Sequence, residues 1–221
     1  MENEVAAYWY YRSIAYLIII PFLICIYRFK KIDSSFRPFY FVIFFDFFTE
    51  VLYEILTRTV HTNAISYNFY NLVVFFLIGA QLVRWGALTA KSGWTIFIGC
   101  FVLVFWSWDN LIINSLWVFN SKNIILLSSI ICIFLIRTIS NVHLIIKGEK
   151  TRSIVYAIIS IWVVKHLFLI ISETSWLFFG NLGTSFAWNL GNLAIISGAL
   201  FNIAYAVIAL WVPKKREYSW L

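Results

Sequence analysis

Charged residues are scarce in this chain of 221 residues, and their scarcity excludes most classes of soluble protein. Lysine and arginine number 17, and aspartate and glutamate number 10, so 12% of the residues are charged. A soluble domain carries about 25%. Apolar residues make up 62%, and the mean hydropathy is +0.85. We therefore predict an integral membrane protein, and we exclude a disordered chain and an ordinary soluble enzyme.

Cysteine and proline are also rare, at three residues each. Cys25, Cys100 and Cys132 stand alone in hydrophobic stretches, without a CxxC partner or a histidine at metal-ligand spacing. We expect all three to be buried packing residues, and we predict neither a metal nor a cofactor. The net charge of +7 does not indicate a nucleic-acid partner, because the basic residues form short clusters between apolar runs.

Seven long apolar stretches fill the sequence. A helix that crosses about 30 Å of hydrocarbon needs about 20 mostly apolar residues. Such windows fall at 6–27, 38–60, 67–86, 93–114, 123–146, 153–178 and 189–212. The polar breaks between them are too short to hold a soluble domain. We predict an all-α polytopic membrane protein in which residues 1–221 form a single transmembrane domain of seven helices.

The basic residues fall mainly into alternate loops, which predicts the orientation of the chain. Twelve of the 17 lie on one side of the predicted helices. They are Arg28, Lys30, Lys31, Arg37, Arg84, Lys91, Lys147, Lys150, Arg152, Lys214, Lys215 and Arg216. Because basic loops stay in the cytoplasm, we expect the N-terminus outside and the C-terminus inside.

The third and seventh stretches begin with the same pattern, aromatic-Asn-x-x-Asn-Leu. It occurs at 67–72 and at 188–193, 121 positions apart. This offset superposes the first three predicted helices on the last three and leaves the fourth as a linker. Both copies would have the same topology, which is the parallel-repeat arrangement of some transporter folds.

The 3+1+3 order and the chain length resemble those of SWEET sugar transporters and related PQ-loop carriers. The resemblance implies that Asn71 and Asn192 lie in a substrate pocket, although this chain has no Pro-Gln pair. The chain as a whole also resembles uncharacterised seven-helix inner-membrane proteins of bacteria, in which a Tyr-Asn segment opens the third helix. That resemblance implies a bacterial inner-membrane location and brings no known activity.

Ionisable residues recur inside the second apolar stretch. Asp46, Glu50, Glu54 and Arg58 follow one another at intervals of four, which places them on one slanted stripe of a helix. Glu54 and Arg58 can pair at i, i+4, so Asp46 and Glu50 are left near mid-membrane without a local cation. Each charge at that depth costs about 2.5–3.5 kcal/mol on insertion scales. We therefore expect them to have partners on other helices.

Cations are predicted at a similar depth in the fifth and sixth helices. We predict a buried charge network of Asp46, Glu50, Glu54, Arg137, Lys165 and His166. Because mid-membrane acids outnumber the cations, one of them is a candidate proton carrier, and Glu50 is our choice. The alternative is a network that only fixes the register of the helices, with each member satisfied by another.

Amide side chains form a second group. The candidate pocket residues are Asn71, Asn192, Asn202 and Glu173, of which the asparagines are expected to face the bundle interior. Asn68 and Asn189 are expected to cap helix starts at the outer surface instead.

Two familiar seven-helix chemistries are excluded by what the sequence lacks. A retinal pigment needs a lysine in its last helix, and the seventh stretch contains none. His61, His143 and His166 fall at three different depths, so they cannot meet around one catalytic metal.

Three function classes remain, all with the lipid bilayer as a partner. The first, which we favour, is a carrier that moves a small polar solute and is linked to protons through the buried charges. The second is a non-transporting sensor or a subunit of a membrane complex, which binds a ligand, a lipid or a partner protein. The third is an intramembrane lipid-modifying enzyme, which needs Asp46 or Glu50 in contact with His166.

Overall fold

Helices account for most of the structure, a computed structural model that describes residues 12–179 and 184–215, with the backbone alone at 179, 184–192, 194 and 195. The α-helices are α1 (Ile19–Arg28), α2 (Arg37–Val60), α3 (Ala64–Arg84), α4 (Gly93–Ser107), α5 (Ser121–Ile145), α6 (Glu149–Phe179) and α7 (Thr184–Trp211). Short 3-10 turns precede α1 and α2, at Tyr16–Ile18 and Ser34–Phe36. A π-helical segment, Trp108–Ile113, extends α4.

Four helices are long and apolar enough to cross a bilayer. They are α3, α4 with its extension to Ile113, α5 and α6, and they have 21 to 31 residues. In α7 the described apolar part, Ile196–Trp211, is shorter. α2 has 24 residues but carries Arg37, Asp46, Glu50, Glu54 and Arg58. The chain is an α-helical membrane protein, and membrane crossing by α1, α2 and α7 stays a prediction.

Helix pairs that are adjacent in sequence make the most extensive contacts. α5 packs along α6, and α2 packs along α3. Two contacts between distant parts of the chain complete the bundle, because α1 packs on α7 and α3 packs on α5. α4 lies at the periphery, where it buries Val102 and Trp106 and exposes most of its other side chains. These exposed apolar side chains suit a lipid environment.

A group of buried aromatic rings joins α2, α6 and α7. The Phe39 ring centroid lies 5.9 Å from the Trp162 centroid and 5.9 Å from the Tyr205 centroid. All three side chains are almost completely buried. Aromatic pairs at this separation contribute about 0.5–1.5 kcal/mol beyond their buried area. The rings therefore fix how α6 and α7 approach α2.

Arg28, at the end of α1, ties α1 to the end of α7. Its buried guanidinium donates hydrogen bonds to the carbonyl oxygens of Ala209 at 2.6 Å and Val212 at 2.8 Å, and also to that of Leu210. The last carbonyls of a helix have no donor within the helix. Arg28 supplies one and places its positive charge at the negative end of the helix dipole.

The chain that follows α1 also pairs with the chain that follows α7. Ile32 and Lys214 form an isolated antiparallel bridge, next to which the Asp33 amide donates to the Pro213 carbonyl oxygen at 3.0 Å. This end of the bundle is the one that the basic loops predict to be cytoplasmic.

Gln81 on α3 forms hydrogen bonds with backbone groups at the start of α2. Its Oε1 accepts a hydrogen bond from the Phe39 amide at 2.8 Å, and its Nε2 donates to the Ser35 carbonyl oxygen at 2.5 Å. The Gln81 side chain is fully buried. The first amides of a helix have no acceptor within the helix, so Gln81 acts as a cap supplied by a neighbouring helix.

The prediction that all three cysteines are buried is wrong for one of them. Cys25 and Cys132 are buried, whereas Cys100 is exposed. The difference arises because Cys100 lies on the peripheral helix α4, whose outward face meets no other described helix. Hydropathy alone does not distinguish a side chain that faces lipid from one that faces the core.

Candidate functional site

Asp46, Tyr70 and Lys165 meet inside the bundle and join α2, α3 and α6. We call these three residues the central triad. The Tyr70 hydroxyl donates to Asp46 Oδ1 at 2.6 Å. Lys165 Nζ donates to Asp46 Oδ2 at 3.2 Å and to the Tyr70 oxygen at 2.9 Å. Each member thus contacts the other two.

Burial makes the charges of the central triad interdependent. The side chains of Asp46 and Lys165 are 9% and 17% exposed. Desolvating two charges costs several kcal/mol per ion, which their attraction offsets only where the geometry is good and the remaining polar atoms are bonded. Tyr70 supplies one of these bonds to each charge. Neither charge can therefore change without disturbing the other.

Aromatic side chains surround the ammonium group of Lys165. The nitrogen lies 5.6 Å from the Tyr70 ring centroid and 5.4 Å from the Tyr205 centroid, within the range of cation–π attraction. Phe45 stacks parallel to Tyr70, with centroids 6.1 Å apart. The cation is therefore held by a carboxylate on one helix and by rings from two others.

Two polar atoms beside the central triad, the Tyr205 hydroxyl and the Trp162 indole N–H, are buried. The Tyr205 hydroxyl lies close to Lys165 and to Trp162. Neither that hydroxyl nor the Trp162 indole N–H reaches an acceptor or donor in good geometry among the described residues, and both atoms are buried. Buried polar groups are nearly always bonded to protein or ordered water. Because the hydroxyl lies beside both the indole N–H and the Lys165 ammonium group, a small change of geometry would bond all three.

His166 adjoins the central triad in sequence but has a different partner. Its Nδ1 lies 3.2 Å from the Ser128 hydroxyl on α5. Its Nε2 is buried and has no hydrogen-bond partner in the described part of the chain. No described carboxylate lies within 4.0 Å of the ring, so the acid–histidine contact that the enzyme hypothesis requires is not formed.

The other acids of α2 belong to a separate ionic cluster. Glu54 pairs with Arg12 and, as the spacing predicted, with Arg58 at 2.5 Å. Glu50 Oε2 lies 3.9 Å from Arg12 Nη1, and its side chain is 38% exposed. Glu50 therefore has a cation from outside α2, as expected, but this cation is Arg12 and not one from the predicted fifth or sixth helix. Arg12 lies close to α2, where its guanidinium carbon is 4.3 Å from the Tyr53 ring centroid.

Arg137 does not join the buried charges. It is exposed on α5 and forms no ion pair with any described residue, whereas its neighbours Leu135 and Thr138 are buried. Successive residues of a helix are rotated by about 100°. Depth along α5 suggested contact with Asp46, but this rotation turns Arg137 to the outside.

The candidate pocket residues do not form one group. Asn71 is buried, but its Nδ2 donates to the Tyr67 carbonyl oxygen of its own helix at 2.8 Å. Asn202 is half-buried on α7. Glu173 is half-buried beside the Ser121 hydroxyl at the start of α5. The side chain of Asn192, like that of Asn189, lies outside the described residues.

Asn68 is buried and does not cap α3, contrary to expectation. The cap position belongs to Asn63, and Asn68 binds the segment that joins α4 to α5. Its Nδ2 donates to the Leu116 and Val118 carbonyl oxygens at 3.3 and 2.9 Å, and its Oδ1 accepts from the Asn120 amide at 3.3 Å. It lies one turn inside the helix, so its side chain reaches across to the neighbouring loop.

Sequence reasoning missed Tyr70, Trp162, Tyr205 and the role of Arg12. The one available signal was the position of Tyr70 within the repeated Asn-containing pattern at 67–72. Tyrosine and tryptophan are frequent here, at 12 and 11 residues. Their presence in a helix therefore does not indicate which of them contact the buried charges.

Comparison with protein-family models finds no matching family, and comparisons with curated proteins and with solved structures find no similar chain. The functional argument therefore rests on the central triad and its surroundings.

Proposed function

We propose that the protein is a proton-linked carrier of a small polar solute in the bacterial inner membrane. In this proposal the central triad couples proton movement to solute movement. The observation that carries this proposal is the contact of Asp46, Tyr70 and Lys165 inside a membrane-embedded bundle. Ionisable groups at such a position are expensive to maintain and typically serve proton or ion pathways.

The coupling would work through the charge of Asp46. A proton that binds the Asp46 carboxylate removes the negative charge that holds Lys165 Nζ at 3.2 Å. Lys165 then remains as a buried cation without a counter-ion, a state that costs several kcal/mol. This state is relieved when α6 moves away from α2, or when an anionic or strongly polar solute group replaces the carboxylate. Protonation and solute binding would thus favour the same rearrangement.

The buried polar atoms of Trp162 and Tyr205, which lie beside Lys165 without well-aligned hydrogen bonds, support a solute position next to Lys165. Both belong to helices that contact each other, α6 and α7. A solute hydroxyl or carboxyl group there would give these buried atoms better-aligned hydrogen bonds than they make with each other. Solute binding would therefore bridge α6 and α7.

The helix contacts also support the predicted 3+1+3 repeat. In that repeat, α1 corresponds to α5, and α3 corresponds to α7. The packing of α1 on α7 is then the counterpart of the packing of α5 on α3. The peripheral position of α4 suits a linker helix. This arrangement is the one that the resemblance to SWEET and PQ-loop carriers implies.

Proton movement in proteoliposomes tests the proposal. Purified protein would first be screened for thermal stabilisation by a panel of sugars, amino acids and small carboxylates. Proteoliposomes containing a pH dye would then be given each stabilising solute. We expect solute-dependent proton movement for the wild type and its loss in Asp46→Asn. Asp109→Asn is the matched control, because Asp109 is also buried but binds Asn114 and Asn123 outside the triad.

Solute uptake that ignores a pH gradient would contradict proton coupling, and so would proton movement that survives in Asp46→Asn. The Glu50→Gln variant distinguishes the role of Glu50 from that of Asp46. Because Glu50 is half-exposed and lies near Arg12, we expect coupling to survive in that variant.

One observation favours the alternative of a non-transporting subunit. α4 presents a long outward face with large exposed side chains, among them Trp94, Phe97, Phe101 and Trp108. A helix of a partner protein could pack against these side chains. Copurification of a stoichiometric membrane partner, together with full function of Asp46→Asn in that complex, would favour this alternative over the carrier.

A further inference from the structure

A cavity of about 620 Å³ opens at the end of the bundle where α1 and α7 end and α6 begins. Its walls come from Arg28, from the first turn of α6 at 148–151, and from 210–214. Binding sites for small molecules typically measure about 300–1,000 Å³. The cavity lies at the helix ends, which is the depth of lipid headgroups in a bilayer.

The charged residues in the lining of this cavity are mainly cationic. Arg28, Lys150 and Lys214 contribute three positive charges, and Glu149 contributes one negative charge. Lys150, Lys214 and Glu149 are exposed, so their charged groups remain hydrated. The cavity therefore has an excess of positive charge where it opens.

Arg28 is a buried cation in this wall without an anionic partner. It is 8% exposed, and its hydrogen bonds to described residues all go to the carbonyl oxygens at the end of α7. No carboxylate among residues 12–179 and 184–215 lies within 4.0 Å of it. The carbonyl oxygens at the end of α7 carry only a partial negative charge, so an anion in the cavity would complete the balance of the Arg28 charge.

The start of α6 adds amide donors to the same cavity. The first hydrogen bond of this helix runs from the Arg152 amide to the Gly148 carbonyl oxygen at 3.0 Å. The amides of 149–151 therefore have no acceptor within the helix, and these residues line the cavity. Free amides at the positive end of a helix dipole suit an anion with several oxygen atoms.

We propose that this cavity binds a phosphate group, held by Lys150, Lys214 and the first-turn amides of α6 and balanced by the charge of Arg28. Two sources share this chemistry: the headgroup of an anionic phospholipid and a free phosphate. Basic pockets between helices on the cytoplasmic side are typical sites for anionic headgroups. The proposal does not depend on the carrier function.

Lipid and phosphate titrations of the purified full chain distinguish the two sources. The thermal midpoint would be measured in nanodiscs of phosphatidylcholine with increasing phosphatidylglycerol, and separately in phosphatidylcholine nanodiscs with inorganic phosphate. The test variant is Lys150→Gln/Lys214→Gln. Both residues are exposed, so the substitutions leave the core intact. Arg84→Gln/Lys91→Gln is the control, because it removes two exposed charges from the same side of the bundle outside the cavity.

We expect a saturable rise in the midpoint for the wild type and for the control. In the test variant, the apparent dissociation constant should rise about tenfold or more, because two charge-assisted contacts are lost. A rise with phosphatidylglycerol alone identifies a lipid headgroup, and a rise with inorganic phosphate identifies a free phosphate group. The absence of any saturable rise, or equal weakening in the test and control variants, would overturn the proposal.

Discussion

The Tyr70 hydroxyl binds Asp46 Oδ1 at 2.6 Å and at the same time accepts a hydrogen bond from Lys165 at 2.9 Å. One neutral side chain thus bridges both members of an ion pair. Because a buried ion pair is stable only when its remaining polar atoms are bonded, the bridge makes Tyr70 part of the ionic interaction.

Replacing Tyr70 with phenylalanine should destabilise the protein although it removes a single oxygen atom. We expect the free energy of unfolding to fall by about 1–3 kcal/mol, the usual cost of an unsatisfied buried group. Unfolding in mixed micelles with increasing SDS would measure it. Tyr67→Phe is the control, since the Tyr67 hydroxyl has no hydrogen bond to a described residue. Equal effects of the two substitutions would contradict the bridging role.

Asp46 and Lys165 should show strong energetic coupling. Asp46→Asn or Lys165→Met alone leaves a buried charge unpaired and should cost about 3–5 kcal/mol. The double variant removes both charges, so it should be less destabilised than the sum of the single variants by about 0.5–3 kcal/mol. Glu54→Gln combined with Lys165→Met provides the control, because Glu54 pairs with Arg12 and Arg58. Additive effects in the Asp46 and Lys165 pair would disprove the coupling.

Gln81 should control the stability of the start of α2. Gln81→Leu leaves the Phe39 amide without its acceptor and the Ser35 carbonyl without its donor. We expect each unsatisfied group to cost about 1–3 kcal/mol. Hydrogen exchange at the Phe39 amide should accelerate in this variant. Gln81→Glu retains an acceptor for that amide, so exchange there should remain slow; fast exchange in both variants would contradict the capping role.

Asn68 should hold the segment between α4 and α5 in place. Asn68→Ala removes the side-chain amide that donates to the Leu116 and Val118 carbonyl oxygens and accepts from the Asn120 amide. We expect faster proteolysis and faster hydrogen exchange in that segment, with little change elsewhere. The control is Asn71→Ala, a buried asparagine on the same helix whose amide group binds its own helix backbone. Unchanged exchange at residues 116–120 in Asn68→Ala would contradict this role.

The helix boundaries and the ion pair could be predicted from the sequence. Apolar windows and their polar breaks reflect the thickness of the bilayer, so they locate α3, α5 and α6 within a few residues. Counting residues along each helix gives the depth of each side chain in the bilayer. Asp46 and Lys165 have similar depths, and they form an ion pair. His166 lies at almost the same depth as Lys165, but it faces Ser128 instead.

Rotation about the helix axis could not be predicted in the same way. In a bilayer, apolar side chains occur on every face of a helix, because lipid and core are equally apolar. The sequence therefore does not reveal that Thr138 points inward and Arg137 outward. Nor does it separate Tyr70 from other tyrosines, since a tyrosine suits a core, an interface and a hydrogen bond equally well.

The bond between Arg28 and the carbonyl oxygens of α7 has a consequence for biogenesis. Arg28 and Ala209 are 181 positions apart, so α1 leaves the ribosome long before its partner has been translated. During that interval the guanidinium lacks these carbonyl acceptors, so its charge has to stay in contact with water or polar headgroups. In a chain stalled on the ribosome before residue 209, α1 would be inserted but would not yet contact the end of α7. The contact that joins α1 to α7 therefore forms only after α7 has been translated.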